Sequence, residues 1–222
     1  MFLTAVSQVQ QVYTRIYGIV NEHSYSYLCM QVSSNGVLSF GSNFTHFQPQ
    51  PFPFTSSPLI AVFWEDFDPR KGGSIYYRQT TQHDILDQIT VIIATVGPEL
   101  QFQPTLAFIA TWDGVAAFDA ELYGHTNTFQ VFLATDGSYS FVGFIYRDIQ
   151  WTGSGQVGLN AGDGRGYSTL MRTNDILSDR QGSNVMIPGF YVYRLDSGLW
   201  LCLLYTSPSP RDATLSRMPS SA

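Results

Sequence analysis

Positive charge is scarce in this chain. Its 222 residues carry only 11 Lys plus Arg against 17 Asp plus Glu, a formal net charge of −6. No basic stripe exists to neutralise phosphates, so nucleic acid is not an expected partner. Only two cysteines occur, Cys29 and Cys202. They allow one disulfide, two free thiols, or neither if one is not native, and their number sets no compartment. No apolar run approaches the ~20 residues of a membrane helix, so this stretch is not expected to insert into a bilayer. The first residues, MFLTAVSQVQQVYTR, lack a basic n-region and a long apolar h-region. The start therefore reads either as cytosolic or as a piece whose natural N-terminus lies upstream. No repeat of fixed period appears, which leaves a solenoid or propeller unsupported.

Catalytic signatures are missing too. The four histidines, His23, His46, His83 and His125, stand in unrelated contexts, and neither a Gly-x-Ser-x-Gly elbow nor a His-Glu-x-x-His helix occurs. Cys29 falls within an expected strand. The three spaced glycines Gly162, Gly164 and Gly166 frame Asp163 and Arg165, but a phosphate loop would end in Gly-Lys-Ser/Thr. Asp66 and Asp68 could do acid–base work only if something held a substrate between them, and one turn carries both. The chain is expected to be no enzyme, with no cofactor and no catalytic residue.

What the chain has in quantity is aromatic residues, 15% with 16 Phe and 13 Tyr, while charged residues make up 13%. That balance suits β-sheet cores. A chain of this length fits one large domain or two small ones and can bury roughly 70% of its unfolded surface without a covalent staple.

The strongest local pattern is Asn127 to Tyr146. Phe129, Val131 and Leu133 alternate with their neighbours, Thr135-Asp136-Gly137-Ser138 intervenes, and Tyr139, Phe141, Gly143 and Ile145 resume the alternation. This predicts a β-hairpin with that set facing a core and Thr128 and Gln130 facing outward. The opposite face carries Phe132, Val142, Phe144 and Tyr146, so it is expected to be covered as well. The hairpin should supply central strands of a two-layer structure.

Along the rest of the chain, Val6 to Val20 mixes helical spacing with β-branched residues, leaning towards strand near Arg15 to Val20. Tyr25 to Val32 and Val37 to Phe40 flank Ser33-Ser34-Asn35-Gly36, a second hairpin. FQPQPFPFTSSP, from Phe47 to Pro58, cannot build a regular ladder and predicts an extended arm whose Phe rings lie on the sandwich. Leu59 to Trp64 is a strand buried on both faces, followed by the turn Glu65 to Gly73 and a strand from Ser74 to Thr80. His83 to Val96 has apolar steps of three and four, with Thr81 as N-cap, and predicts one amphipathic helix; its β-branched half leaves a strand over Ile89 to Val96 as the rival. Thr105 to Trp112 is a buried strand, Asp113 to Thr126 a polar loop, Asp148 to Trp151 and Gln156 to Asn160 short strands, and Phe190 to Leu195 the closing strand. The expected class is all-β, a two-layer antiparallel β-sandwich with one short amphipathic helix.

Glu65, Asp66 and Asp68 are candidate calcium ligands, since calcium takes six to eight oxygens. Their spacing is not that of a calcium loop, and Arg70 and Lys71 can neutralise them, so an ion-paired turn is the preferred expectation and no metal is assigned.

Several blocks together resemble one family. They are Val32-Ser33-Ser34-Asn35-Gly36-Val37-Leu38-Ser39-Phe40-Gly41, Pro58 through Asp68 with Tyr76-Tyr77-Arg78, Thr111-Trp112, Asn127-Thr128-Phe129-Gln130, Gln156-Val157-Gly158, and Ser183-Asn184-Val185 with Pro188-Gly189. In this order they resemble the NIDO domain of nidogen, α-tectorin, mucin-4 and sushi-domain proteins, over residues 27–196. Val62 departs from the pattern, where relatives often carry proline before Phe-Trp. The resemblance implies a non-catalytic extracellular module, secreted or within the ectodomain of a membrane protein, engaged in cell–matrix adhesion through protein–protein contacts. Partners would be extracellular matrix or cell-surface proteins. The alternative is a carbohydrate-binding, lectin-like β-sandwich, with Trp64, Trp112 and Trp151 stacking on sugars and the acidic turn holding calcium. An extracellular home gives meaning to the sequon Asn43-Phe44-Thr45, with Asn43 as the glycan acceptor. The loops 113–126 and 160–167, expected at one end of the sandwich, are the candidate partner surface.

Residues 1–26 are expected to be a partial strand region or upstream segment, and 197–201 a boundary. Residues 202–212 resemble a translated transposase adapter and 216–222 the adjoining flow-cell primer. The segment 202–222 is therefore expected to be a disordered sequencing artefact, with a natural Ser/Pro-rich linker as the other reading. An artefact would leave Cys29 as the only native cysteine.

Overall fold

A computed structural model describes residues 7–8, 30–41, 44–54, 58–178 and 181–196. The strands are β1 (Ser7–Gln8), β2 (Met30–Ser33), β3 (Val37–Phe40), β4 (Leu59–Trp64), β5 (Ser74–Thr80), β6 (Leu106–Ala116), β7 (Thr126–Thr135), β8 (Ser140–Ile149), β9 (Gln156–Asn160), β10 (Tyr167–Arg172) and β11 (Phe190–Arg194). Helix α1 spans His83–Ile93 and helix α2 spans Thr173–Ser178. All strand pairs are antiparallel. They form a six-stranded sheet in the order β1-β5-β6-β7-β8-β11 and a five-stranded sheet in the order β10-β9-β4-β3-β2. The architecture is an all-β sandwich.

Alternation builds its layers. Phe108, Ala110 and Trp112 of β6, Phe129, Val131 and Leu133 of β7, and Val142, Phe144 and Tyr146 of β8 meet Val32, Leu38, Ile60, Val62 and Phe63 of the other sheet. The intervening residues Ala107, Ile109, Phe132, Ala134, Phe141 and Ile145 face the opposite way and are roofed by Ile85, Leu86, Ile89, Ile92 and Ile93 of α1. That roof explains why the central strands are apolar on both faces. Two hydrogen bonds tie the sheets together: Tyr146 Oη donates to the Val62 carbonyl at 2.7 Å and Trp112 Nε1 to the Ser33 carbonyl at 3.0 Å.

One irregularity sets the five-stranded sheet. Ala61 pairs with Gly158 and Trp64 with Gln156, so three steps on β4 oppose two on β9. The N–H groups of Val62 and Phe63 both donate to the Gly36 carbonyl, at 2.9 and 3.1 Å. This is a β-bulge, and it reverses the facing of the strand. Val62 and Phe63 both point into the inter-sheet core, while Trp64 joins Leu59, Ala61, Val37 and Phe44 on the outer side. Because the Gly36 carbonyl keeps the Phe63 donor, proline in place of Val62 would remove one bond of the two.

Several expectations are refined. The central hairpin forms, but Thr135 pairs with Ser140 and Leu133 with Val142. Phe141 and Ile145 therefore lie under α1 rather than beside Phe129, Val131 and Leu133. Thr128 and Gln130 do sit on the α1 side, yet both are buried, and Gln130 Nε2 donates to Thr111 Oγ1 at 2.7 Å. The helix wins over the strand for His83–Ile93, with Gln82 rather than Thr81 as N-cap. Strand β6 continues to Ala116 through a bulge, with Gly114 at φ 60°, so the expected loop at Asp113 begins four residues later. The segment expected as a strand at Asp148 is the end of β8, and Trp151 lies beyond it. β10 and α2 were not expected. The arm forms no ladder. Phe52 and Phe54 pack on the outer cluster around Trp64, while Phe47 is exposed. The expectations for Arg15 to Val20, Cys29, Asn43 and the segment 202–222 lie outside the described residues, and for the second hairpin only its Tyr25–Cys29 part does.

A methyl group tests the bulge. Gly36 has φ 73° and an added Cβ would lie 2.1 Å from the Phe63 carbonyl oxygen, whereas Gly137, at φ 94° in the β7–β8 turn, has open space around it. Gly36→Ala is expected to cost about 3 kcal/mol or more and Gly137→Ala about 1 kcal/mol in urea unfolding. Equal losses would show that the backbone angle alone matters.

Candidate functional site

Three carboxylates leave β4 within four residues, and the fold sends them to different places. The bulge turns Glu65 inward, where it is 4% exposed. Its Oε1 accepts from the N–H groups of Gly153 and Gly155 at 2.8 and 3.0 Å and from Thr173 Oγ1 at 2.6 Å. One oxygen thus pins the entry to β9 and the start of α2. Burial holds the Glu65 carboxyl above its usual range; the three donors oppose this, and the Asp66 charge adds to it. Gly153 and Gly155 allow the approach, since an added Cβ would lie 2.8 and 2.5 Å from this carboxylate.

Asp68 is clasped by Arg70, whose Nε and Nη2 donate at 2.7 and 2.9 Å while its backbone N–H donates at 3.1 Å. The guanidinium bonds hold the Asp68 carboxyl below the usual range. Asp66 stands between them with no side-chain hydrogen bond among the described residues. Burial and the neighbouring Asp68 charge push its carboxyl up, and Lys71 partly offsets this. Lys71 Nζ itself donates to the Phe118 carbonyl and lies 4.7 Å above the Phe118 ring.

Asp66 and Asp68 line an open groove of about 1010 Å³ at this end of the sandwich. Arg70 of the same turn lines it too, as do the β2–β3 turn through Ser34 and Asn35, the arm through Phe47, the start of β5 through Ser74 and Ile75, and the β6–β7 loop through Phe118. Backbone bonds fix these segments to one another. Phe67 pairs with Ala117, Phe118 N–H donates to the Asp66 carbonyl at 2.9 Å, and Phe67 N–H donates to Asn35 Oδ1 at 3.0 Å. Nearby, Asn127 holds the exit of β8: its Nδ2 donates to the Trp151 carbonyl and its Oδ1 accepts from Gln150 and Trp151 N–H.

The fold separates several residues that the sequence grouped. Among the described residues no three His, Cys, Asp or Glu side chains converge as a metal site. Glu65 faces the β9 side, Asp66 and Asp68 the groove. The loops 113–126 and 160–167 lie at opposite ends, not one. Asn160 pairs with Leu59 at the start of β4, while Ala117 pairs with Phe67 beyond its end. In the second loop Asp163 Oδ1 accepts from Arg165 and Gly166 N–H, closing a tight turn. Trp64, Trp112 and Trp151 are all buried and offer no ring to a sugar. His46, His83 and His125 are exposed on separate elements, and His23 and Asn43 lie outside the described residues. Phe118 falls in the loop 113–126 that the sequence offered as partner surface, whereas Phe47 was not singled out, because nothing local says that the arm and the β6–β7 loop line one groove.

The profile of the nidogen-like domain, NIDO, matches residues 29–197. Among individual proteins the chain is similar to human alpha-tectorin, 33% identical over 77% of this chain and 9% of that protein. It is similar to Caenorhabditis elegans Dendrite extension defective protein 1, 30% identical over 76% of this chain and 15% of that protein. Drosophila melanogaster nidogen is 29% identical over 75% of this chain and 14% of its own length. The chain thus spans less than a sixth of each of these relatives, and their whole-protein roles do not pass to it directly. No solved structure matches the chain.

The Glu65 tether yields a pH-dependent expectation. A carboxyl raised in the folded state binds its proton more tightly there than in the unfolded chain, so acid favours folding. That contribution is present below 4.5 and is lost as pH rises through the elevated value. Asp68 acts oppositely, its contribution being lost as pH falls below 3.8. In urea unfolding, Glu65→Ala is expected to cost about 3 kcal/mol by leaving three donors unpaired. The stability of wild type relative to Glu65→Gln should decline as pH rises from about 4 to about 8. A difference that grows with pH would show that the carboxylate is stabilised as the anion.

Proposed function

The chain belongs to the nidogen-like domain family, and from that membership we propose that it is a non-catalytic extracellular module of a larger multidomain protein, acting in cell–matrix adhesion through protein–protein contacts. The observation that carries this reading is the match across residues 29–197, which takes in every described strand except β1. Its partners would be matrix or cell-surface proteins.

The interior supports recognition rather than chemistry. The sandwich spends Trp64, Trp112 and Trp151 and its best-connected polar groups on structure: Glu65, Asn35 and Asn127 each bond backbone of a neighbouring segment. What remains at the surface is turns and loops held by short strands, the part of a rigid scaffold that presents contacts. The carbohydrate-binding alternative loses its stacking rings to the core.

The test is to secrete the chain from animal cells behind a supplied signal peptide and measure binding to decellularised matrix. Saturable binding that survives EDTA, survives glycosidase treatment of the matrix and disappears after its proteolysis is the expected outcome. Binding that needs calcium or matrix glycans would instead favour the lectin reading, and no saturable binding would reject the adhesion reading. In the same material Asn43 is expected to carry a glycan, seen as a mass loss on N-glycosidase treatment that Asn43→Gln abolishes.

A further inference from the structure

The groove beside the β4–β5 turn holds a carboxylate with no ion pair or side-chain hydrogen bond among the described residues. Of the three acids leaving β4, Glu65 is bonded inside and Asp68 is forked by Arg70, while Asp66 receives no side-chain hydrogen bond among the described residues. Lys71, the cation whose charge reaches Asp66, is committed to the carbonyl and ring of Phe118. Burial and the Asp68 charge raise the Asp66 carboxyl, and the Lys71 charge offsets this only in part. Two phenyl rings from separate segments, Phe47 at 54% exposure and Phe118 at 51%, line the same groove.

We propose that this groove receives an extended segment of a partner protein, with an arginine or lysine side chain of that segment seated against Asp66 and its aliphatic stem along Phe47 and Phe118. The proposal rests on the protein-binding reading above and narrows it to one site and one chemistry. Aromatic faces attract cations and pack well on alkyl stems, and the Lys71–Phe118 contact is an internal instance of that pairing. A groove of about 1010 Å³ has room for several side chains. Two exposed acids adjoin lining residues, Asp113 by pairing with Ser74 and Asp119 by following Phe118, and the chain's net charge is −6, which favours basic segments over acidic ones. An anionic segment would meet two carboxylates, Asp66 and Asp68, and the one cation among the described lining residues, Arg70, already gives its Nε and Nη2 to Asp68.

The probe is a set of acetylated, amidated pentapeptides of alanine and phenylalanine with arginine, lysine, citrulline or glutamate at the centre, titrated calorimetrically against the intact chain. Citrulline keeps the shape of arginine and removes its charge. The arginine and lysine peptides should bind, the citrulline peptide at least about tenfold more weakly, and the glutamate peptide not at all. Asp66→Asn and Phe118→Ala, both at exposed or half-buried groups, should each weaken the arginine peptide about tenfold while leaving the melting temperature unchanged. Equal binding of arginine and citrulline peptides, no binding of either, or an Asp66→Asn variant that binds like wild type would overturn the proposal. The double variant Asp66→Asn/Phe118→Ala on decellularised matrix separates the two readings. Wild-type matrix binding by that variant rejects this site and leaves the adhesion reading standing. Failure of wild type to bind matrix rejects the adhesion reading, and the peptide titration still decides the site.

Discussion

The carbonyl of Gly36 accepts two hydrogen bonds from successive residues of β4, and most of the far end of the molecule follows from that constraint. A strand that alternated without interruption would put Trp64 on the side of Val62, in the inter-sheet core. The bulge gives that core both Val62 and Phe63 and moves Trp64 to the outer face, where Phe44 and the arm residue Phe54 pack edge-on against it at 5.4 and 5.1 Å between ring centroids. Glu65, next in the chain, then points at Gly153, Gly155 and Thr173 instead of solvent. Its inward turn leaves Asp66 facing the groove. A single backbone acceptor in a tight turn, possible only because residue 36 has no side chain, thereby sorts three acidic residues into a structural role, a groove wall and an ion pair.

Elsewhere side-chain amides replace backbone ladders where prolines or chain ends prevent them. Gln31 donates to the Phe44 carbonyl and accepts from its N–H, Asn160 does the same for Phe54, and Asn184 for Val192. Each amide presents one donor and one acceptor, as a neighbouring strand would. The first two fasten the chain to the five-stranded sheet just before the proline-rich arm and within it. The third, helped by Ser183 Oγ donating to the Phe190 carbonyl, closes the free side of β11. An edge strand satisfied in this way has fewer open groups with which to pair another chain.

The sequence made the strands legible wherever alternation and a turn signal coincided. Asn35-Gly36 and Asp136-Gly137 mark their hairpins, and the isoleucines of α1 recur at helical spacing despite their β-branching. It misplaced what depends on register. Nothing local says that Thr135 pairs with Ser140, and one residue of slip decides whether Phe141 lies in the inter-sheet core or beneath the helix. β10 was illegible because Tyr167–Arg172 has only one covered face and an irregular pairing at Thr169–Met171. Of the candidate site, the acidic turn was visible as composition, but its division was not. Glu65, Asp66 and Asp68 look alike in sequence, and their partners come from residues 153–173, from none of the described side chains, and from Arg70 respectively.

This arrangement limits where a partner can be received. The outer face of the six-stranded sheet lies under α1, and that of the five-stranded sheet lies under the arm with Phe52 and Phe54. β11 is closed by Asn184, and β5 is paired with β1. Opportunities for recognition are thus pushed towards the ends of the sandwich and the β10 side. The two ends differ in kind. At the 160–167 end Asp163 satisfies its own turn, so the charge there is already engaged by backbone donors. At the other end the bulge leaves an under-compensated carboxylate near two exposed rings, and its turn is tied to the β2–β3 turn by Asn35 and to the β6–β7 loop by Phe67 and Phe118. Of these two ends as described, that one joins rigid placement of the turn to unmet electrostatic demand, and both trace to the same irregularity in β4.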